Sequence, residues 1–504
     1  MPYKTRISIL IISLVLIWAT QAATALGQDG DPSVWLYSLK KIKPFADSSP
    51  FIGEAWLKTG NKKSVAFLIA YPKNRSDPTW FSSLYSIAIT HKGRASKPKK
   101  LWTGEKMNLL DIKAVWLNNN SAAPAPEDKG LVFVSYNTDP GRGAAKVAVA
   151  QFDSNGELLS PFSEIAHINA PDGEEVADCY LAASQGEESI ALLYCASYYL
   201  YDYGTYIGQR GTEAFFMEVG LDGQPKSVST GRSPAAHQLR LNANGKLQEC
   251  IPFRPYWTGK RWLLPVSILR FTVVAAPWGG ERAEVAGCRL LVLNAQPKNG
   301  SLVKLRLMEI ARIDNGEMLN FTRVAILPGA LQGGAPKAGN NLLLAYGFGR
   351  AIAESRRQLE TYDIEYRLQP ISDRGKKSGP VSLIEFPKWN HSITYDPDGS
   401  LSASIKALSY PTQLDDGTLL ISLCRSARWM TAGGTMLHEN NFEFYSIDPE
   451  TGILTVLARR DSTYPGLFFQ MGVMVMGGRY CILQDADMLY ADWSFETFLY
   501  FTRF

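Results

Sequence analysis

Histidines and closely spaced cysteines are scarce in this sequence, and their scarcity removes several kinds of active site. The 504 residues include only five histidines, and none of them pair at metal-ligand spacing. The absence of any CxxC argues against a thioredoxin-type redox centre and against a zinc knuckle. The sequence also lacks a Gly-x-Ser-x-Gly nucleophile elbow and a P-loop. A histidine-based metal site is therefore not expected.

An excess of either charge is also missing. The net charge is +4 over the whole chain, and the composition, 46% hydrophobic and 20% charged, is typical of a globular protein. The densest basic run spans residues 91–106 between two strand-like runs. We interpret that run as a solvated hairpin and expect no nucleic-acid partner.

Long apolar segments are absent beyond the first 25 residues. The N-terminus carries Lys4 and Arg6, an apolar run at 7–18 and small residues ending at Ala25, which is the pattern of a cleaved signal peptide. The run is too short to span a bilayer as a helix. We predict a signal peptide at 1–25 and one soluble domain at 26–504, exported to the periplasm or the exterior without stable membrane insertion and monomeric.

Six cysteines in an exported chain permit three disulfides. Two strand-like segments, 178–183 and 190–195, flank a turn at 184–189. A hairpin that sets Cys179 opposite Cys195 would bring the two thiols within bonding reach, so we predict this disulfide. The other four cysteines give no basis for a pairing.

Helical periodicity is almost absent, and runs of five to eight apolar and β-branched residues alternate with turns rich in Gly, Asp, Asn and Pro. A unit of four antiparallel strands recurs every 60 to 80 residues. Its third strand, turn and fourth strand are recognised six times, at 84–102, 147–165, 214–231, 290–310, 362–384 and 442–457. An apolar second strand precedes each copy.

The C-terminal segment after residue 469 supplies three further strands, and the segment 34–39 offers one strand without a unit. Pairing an N-terminal strand with the last unit removes exposed sheet edges from a ring. We therefore predict an all-β fold, a single β-propeller of four-stranded antiparallel blades. Seven blades are expected, with six as the alternative, and an N-terminal strand closes the ring.

Turn motifs carry a resemblance at the level of the fold. They are the Asp-rich turns 396–399 and 415–417 and the strand-turn-strand segment 445–457, which contains an Asp-Pro-Glu-Thr-Gly turn. In these features the chain resembles the β-propeller superfamily, loosely the bacterial TolB-like and lactonase-like propellers. No specific family follows from the resemblance, and a shared fold does not determine function.

The connections between second and third strands open on one face of a propeller, and loops on a rigid scaffold commonly carry function. Each of the first six units has an arginine in this connection, often beside aromatic residues. A ring of guanidinium groups and aromatic rings suits an anionic or sugar-like ligand. The candidate ligand-binding residues are Arg75, Arg142, Tyr201, Tyr203, Arg210, Arg282, Arg350, Arg428, Trp429, His438 and Asp487.

Acidic residues near the same connections form a second set: Asp77, Asp139, Asp202, Asp485, Asp487 and Asp492. Such a group could bind Ca²⁺ through oxygen ligands or supply a general acid and base. The alternative is that these residues cap turns.

Two functional hypotheses follow. In the first, the protein is a non-enzymatic binding or scaffold propeller that engages a protein partner or a small anionic or sugar-like ligand through its loop-rich face. In the second, it is a propeller hydrolase or lyase that uses carboxylates at the channel mouth.

Overall fold

The computed structural model shows a chain built of β-strands, and no helix occurs among the residues it describes. The described residues are 35–38, 48–51, 55–72, 82–92, 94–102, 107–117, 129–138, 143–171, 174–202, 205–226, 237–239, 248–275, 281–298, 301–313, 318–328, 342–354, 359–387, 400–413, 418–430, 436–448, 452–462, 467–476, 479–488 and 494–503. In this part of the chain there is accordingly no helix long and apolar enough to cross a membrane. The predicted signal peptide lies outside the described residues.

The described strands form six sheets in chain order, and all their pairings are antiparallel except one in the fifth sheet. The first two sheets contain β2 (Ser48–Phe51), β3 (Trp56–Gly60), β4 (Lys63–Pro72), β5 (Ser83–Thr90) and β6 (Lys99–Trp102), then β7 (Asn108–Trp116), β8 (Lys129–Asn137), β9 (Ala144–Asp153) and β10 (Ser163–Asn169). The third and fourth contain β11 (Glu174–Gln185), β12 (Ser189–Asp202), β13 (Thr205–Gly220) and β14 (His237–Leu239), then β15 (Gln248–Pro252), β16 (Tyr256–Trp257), β17 (Trp262–Ala275), β18 (Glu281–Lys298) and β19 (Ser301–Ile313).

The fifth sheet has nine strands: β20 (Met318–Pro328), β21 (Leu342–Glu354), β22 (Leu359–Ile371), β23 (Ser382–Ile384), β24 (Ser400–Leu408), β25 (Thr412–Gln413), β26 (Leu419–Met430), β27 (Met436–Ile447) and β28 (Leu454–Ser462). The sixth contains β29 (Leu467–Met476), β30 (Arg479–Met488), β31 (Ser494–Arg503) and the N-terminal β1 (Trp35–Ser38). In this last sheet Trp35 lies opposite Phe501 and Ser38 opposite Phe498.

Neighbouring sheets pack face to face, which explains why their central strands are continuously apolar. Val65 and Phe67 of the first sheet pack with Val132 and Phe152 of the second. Equivalent clusters join the second sheet to the third, the third to the fourth and the fourth to the fifth. A strand packed between two sheets is apolar on both faces, because neither face meets water.

The sixth sheet packs against both the fifth sheet and the first. Val473 of β29 packs with Leu420 and Phe444 of the fifth sheet, and Met474 and Met476 of the same strand pack with the first sheet. The sheets therefore surround a common axis as the blades of a β-propeller, as the sequence predicts. The number of sheets, six, equals the alternative blade number predicted from the sequence.

The first strand of each sheet lies innermost in this ring. First strands of successive sheets contact one another, as β7 does β11 and β11 does β15. The fourth strands β6, β10, β19, β23 and β28 form the outer edge. Because β7, β11 and β15 are inner strands, they bring polar side chains from three sheets together.

The turn between third and fourth strands repeats in structure as it does in sequence. Gly156, Gly223, Gly375 and Gly452 occupy these turns with positive φ. In three of the turns a carbonyl accepts a hydrogen bond from the third strand of the preceding sheet. The donors are Ser86 to Gly156 (2.7 Å), Gln151 to Asp222 (2.7 Å) and Asn294 to Arg374 (3.0 Å). The repeat predicted from the sequence is therefore also a repeated contact between blades.

Of the segment 214–231, which was predicted to contain a third and a fourth strand, residues 227–231 lie outside the described residues. Residue 225 makes only an isolated bridge to Val219, and the fourth strand of that sheet is β14, where His237 pairs with Phe216.

The predicted disulfide between Cys179 and Cys195 is also wrong. Cys179 lies opposite Ala196, whereas Cys195 lies opposite Tyr180, so the register is one residue away from the predicted one. Adjacent residues of a strand face opposite sides of the sheet, and a shift of one residue therefore separates the two thiols. Cys179 packs toward the second sheet and Cys195 toward the fourth, and both are free and buried.

Candidate functional site

Eight of the eleven predicted ligand-binding residues lie on described strands, at one end of the central hairpins. Arg75, Arg142 and Tyr203 lie outside the described residues. The backbone of the others lies on second or third strands near their connection, and these residues are Tyr201, Arg210, Arg282, Arg350, Arg428, Trp429, His438 and Asp487. Because every sheet repeats the same strand order, all these connections open on the same face. We call this surface the hairpin face.

Much of the hairpin face is built from paired strands where the sequence analysis expected loops. The described parts of the tyrosine-rich segment, 198–202 and 205–206, belong to β12 and β13, with Tyr201 opposite Tyr206. Arg210 falls between Gln209 and Gly211 at a break in the register. Arg428 lies directly opposite His438, and Trp429 lies opposite Leu437. Paired strands hold their backbone positions more rigidly than loops do, which suits a preformed site.

Among the described residues, two hairpins extend beyond the pairing with their inner strand, and we call these extensions ribbons. In the fourth sheet β15 pairs with β17 as far as Arg270, yet β17 and β18 remain paired to Ala275 and Glu281. In the fifth sheet β20 pairs with β21 as far as Arg350, whereas β21 and β22 remain paired as far as Glu354 and Leu359. Arg282 lies near the tip of the first ribbon and Arg350 at the base of the second.

A buried ion pair anchors the hairpin that carries Arg428 and His438. Arg425 is 1% exposed and donates from Nη1 to Oε2 of Glu443 over 2.5 Å. Its Nη2 donates to the carbonyl of Pro387, and the Tyr445 hydroxyl donates to Oε2 of Glu443 over 2.5 Å. Burial and the bond to Glu443 raise the pKa of Tyr445, so the phenol stays protonated. Arg425 therefore stabilises the base of the hairpin and is not exposed on the hairpin face.

Three acidic side chains meet on the inner strands, and the sequence analysis did not find them. We define the inner carboxyl cluster as Asp111 of β7, Asp178 of β11 and Glu249 of β15, together with Tyr180. Asp111 is buried, and its Oδ2 accepts a hydrogen bond of 2.8 Å from the backbone N–H of Leu181. Its Oδ1 accepts one of 2.7 Å from the N–H of Ile112 and lies 3.3 Å from Nζ of Lys113.

The other two acids have pKa values above the ordinary range. Burial raises the pKa of Asp178, the nearby Asp111 carboxylate adds to the increase, and a hydrogen bond with Tyr180 opposes it. Burial likewise raises the pKa of Glu249, which also hydrogen-bonds to Tyr180. Asp178, Tyr180 and Glu249 are only partly buried. Carboxyl groups in such an environment stay protonated to higher pH and can donate protons or hydrogen bonds.

One signal for this cluster was present in the sequence. Asp111 lies within the otherwise apolar segment 107–117, where an acid needs a buried partner. Nothing in the sequence indicated that Asp178 and Glu249 would lie near it, since 70 residues separate Asp178 from its neighbour Glu249 and the meeting depends on the ring. Within the described part of the chain, no group of three or more His, Cys, Asp or Glu side chains could hold a metal ion.

Comparison with known proteins assigns no family. No family model matches the chain, and no curated protein matches it. Among solved structures it matches the crystal structure of the S. cerevisiae core factor at 3.2 Å, with 8% identity and a TM-score of 0.27. That match covers 78% of this chain and 57% of the other, so the chain spans less than two thirds of the matched structure. A TM-score this low carries no argument about function.

Proposed function

We propose that this protein is an exported, non-enzymatic binding or scaffold propeller that engages a partner protein or an anionic or sugar-like ligand through its hairpin face. The observation that carries the proposal is the ribbon formed by β17 with β18 beyond their pairing with β15. A two-stranded ribbon has marginal stability by itself. Contact with a partner would stabilise this ribbon, and Arg282 near its tip offers a bidentate donor to carboxylate, phosphate or sugar oxygens.

The proposed ring has seven blades, since the nine-stranded sheet is best divided into two. Its two halves pack face to face through Leu343 and Tyr366 on one side and Ile421 and Tyr445 on the other, as separate blades do. Gly452 approaches Ile384 of the preceding half just as the other turn glycines approach the preceding sheet.

The link between the two halves is short. Glu360 to Tyr362 pair in parallel with Ala403 to Ile405, and these residues belong to the ribbon beyond β20. The ribbon therefore pairs with the next blade over only three residues. So short a link favours two blades joined by one contact over a single large blade. The N-terminal strand β1 would complete the last blade and close the ring.

Binding by the hairpin face is tested with a thermal-shift screen of the purified protein. The probes are CaCl₂, EDTA, neutral oligosaccharides, organic acids, polygalacturonate and heparin. A ligand present at 100 times its dissociation constant adds about 2.7 kcal/mol to the free energy of unfolding. We expect an anionic or sugar probe to raise the midpoint in the wild type and in Arg374→Ala, but not in Arg428→Ala.

Arg374 is a matched control because it is exposed in a turn between third and fourth strands, on the opposite face. Equal shifts in both variants would place binding elsewhere. No shift with any probe would restrict the proposal to a protein partner.

The inner carboxyl cluster favours a second candidate, a hydrolase or lyase. Two acids with raised pKa values beside a tyrosine suit proton donation to a leaving group. Turnover lost in Asp178→Asn but retained in Asp487→Asn would support the inner cluster, whereas the reverse would support acids at the hairpin face. Retention of all activity in both variants would exclude these acids as catalytic residues.

A further inference from the structure

Two thiols from neighbouring blades meet in the core. Cys195 belongs to β12 of the third sheet and Cys250 to β15 of the fourth, and the distance between their Sγ atoms is 3.3 Å. Both residues are fully buried. They share an apolar cluster with small residues such as Ala182 and Ala214.

We propose that Cys195 and Cys250 form a disulfide that links the third and fourth sheets. A disulfide needs sulfurs about 2.05 Å apart, so the two Sγ atoms must approach by about 1.3 Å, which side-chain rotations can supply. Cys179 cannot compete, because it faces the second sheet.

The reaction requires an oxidant, and we assign that role to a disulfide-bearing compound or protein. One cysteine thiolate attacks the oxidant's S–S bond, forms a mixed disulfide and releases one thiolate. The second cysteine thiolate then attacks the mixed disulfide, which creates the Cys195–Cys250 bond and releases the other thiolate. The two protons lost by the cysteines go to the released thiolates, and the oxidant gains two electrons as it becomes a dithiol or two thiols.

Burial of the two thiols restricts the exchange reaction to an early stage of folding. The apolar surroundings and the contact with Cys250 raise the pKa of Cys195 well above that of an ordinary thiol, so the folded protein holds little thiolate. Exchange therefore precedes the packing of the two sheets. Once packed, the bond is shielded from reductants.

Formation of the bond in the cell rests on the export proposed above, because cytosolic thiols are kept reduced. The experiment accordingly has two arms. In one, the full-length chain is expressed in a bacterium and recovered from outside the cytoplasm. In the other, the reduced full-length chain is denatured and refolded with reduced and oxidised glutathione, which tests the pairing independently of export.

Free thiols in both samples are alkylated, and unreduced digests with trypsin and a glutamate-specific protease are analysed by mass spectrometry. Cleavage after Glu188 separates Cys179 from Cys195, and cleavage after Glu249 releases a peptide that begins with Cys250. We expect a linked pair of the peptides 189–210 and 250–260 in both arms. We also expect the link to persist in Cys179→Ser, the control variant, and to vanish in Cys195→Ala.

The bond closes a loop across a sequence separation of 55 residues, so reduction should lower the unfolding midpoint by about 4 °C. A link in the refolded sample alone would support the pairing and contradict the export. Complete alkylation of both cysteines after refolding, or a peptide that links Cys179 to Cys195, would overturn the proposal.

Discussion

The Ser86 hydroxyl donates a hydrogen bond of 2.7 Å to the carbonyl of Gly156, across the boundary between the first two sheets. Gly156 has a φ of 76°, and a Cβ atom there would lie 2.9 Å from Cβ of Ser86 and from Cγ1 of Val65. The turn therefore needs glycine both for its backbone conformation and for its close approach to the neighbouring sheet. Contacts of this kind set the spacing of the blades.

Replacing Gly156 should consequently separate two blades. We expect Gly156→Ala to lower the free energy of unfolding by about 1 to 3 kcal/mol, from the sum of backbone strain and overpacking. Gly60→Ala is the matched control, because a Cβ atom there meets nothing within 4 Å. Urea denaturation of both variants checks the prediction, and equal losses in the two would contradict it.

The ion pair between Arg425 and Glu443 should be strongly coupled to folding. Glu443→Ala leaves the Arg425 guanidinium buried without its carboxylate, and such losses amount to about 3 to 5 kcal/mol. Glu309→Ala breaks the half-exposed pair with Arg289 and should cost less than about 1 kcal/mol. Chemical denaturation of both variants provides the comparison. A loss below 1 kcal/mol in Glu443→Ala would show that the pair does not anchor the hairpin.

Ionisation of the Asp178 carboxyl group should lower the free energy of unfolding at neutral pH. Its pKa is raised above the ordinary 3.8, so the folded state binds its proton more tightly than the unfolded state does. Stability is therefore lost as the pH rises from about 3.8 through the folded pKa, and the loss is complete above that value. Asp178→Asn, which keeps an oxygen acceptor for Tyr180, should melt higher than the wild type at pH 7.

That difference should shrink at pH 4, where Asp178 is more fully protonated in the folded wild type. Glu188→Gln is the control, because Glu188 is exposed. Melting curves at both pH values test the sign. A variant that melts lower than the wild type at pH 7 would indicate that the ionised carboxylate stabilises the fold.

The N-terminal strand should protect the last blade. Deleting residues 26–38 removes β1 and leaves β31 with an open edge from Phe498 to Phe501. An exposed apolar edge strand promotes pairing between molecules. We expect concentration-dependent association in light scattering and a lower melting midpoint, whereas deletion of 26–34 should cause neither. A monomeric, equally stable 26–38 deletion would contradict closure by this strand.

The sequence predicted the fold better than it predicted contacts between blades. Apolar second strands such as β8 and β26 were recognisable because burial on both faces removes polar residues. The error at Cys179 and Cys195 arose because the turn joins Gln185 to Ile190 in a register that turn-like residues alone do not specify. One residue of shift reversed the faces, so Cys250 was not recognised as the neighbour of Cys195.

The two candidate sites also differ in how far the sequence could predict them. Arg428 and His438 were both predicted on the hairpin face, and their pairing follows from the register of one hairpin. The inner carboxyl cluster depends on three inner strands from three sheets, and no local pattern encodes that approach. Arg425 lies only three residues before Arg428 in the sequence, yet its ion pair with Glu443 keeps it buried.

Hydrogen exchange measured by mass spectrometry, with and without the probe that raises the melting midpoint most, tests binding at the hairpin face most directly. We expect slower exchange in the ribbons at 271–275 with 281–287 and at 351–354 with 359–362, and in the hairpin at 426–430 with 436–440, with little change in β19, β23 and β28 at the outer edge. Protection confined to those outer strands, or to the inner strands β7, β11 and β15, would contradict it.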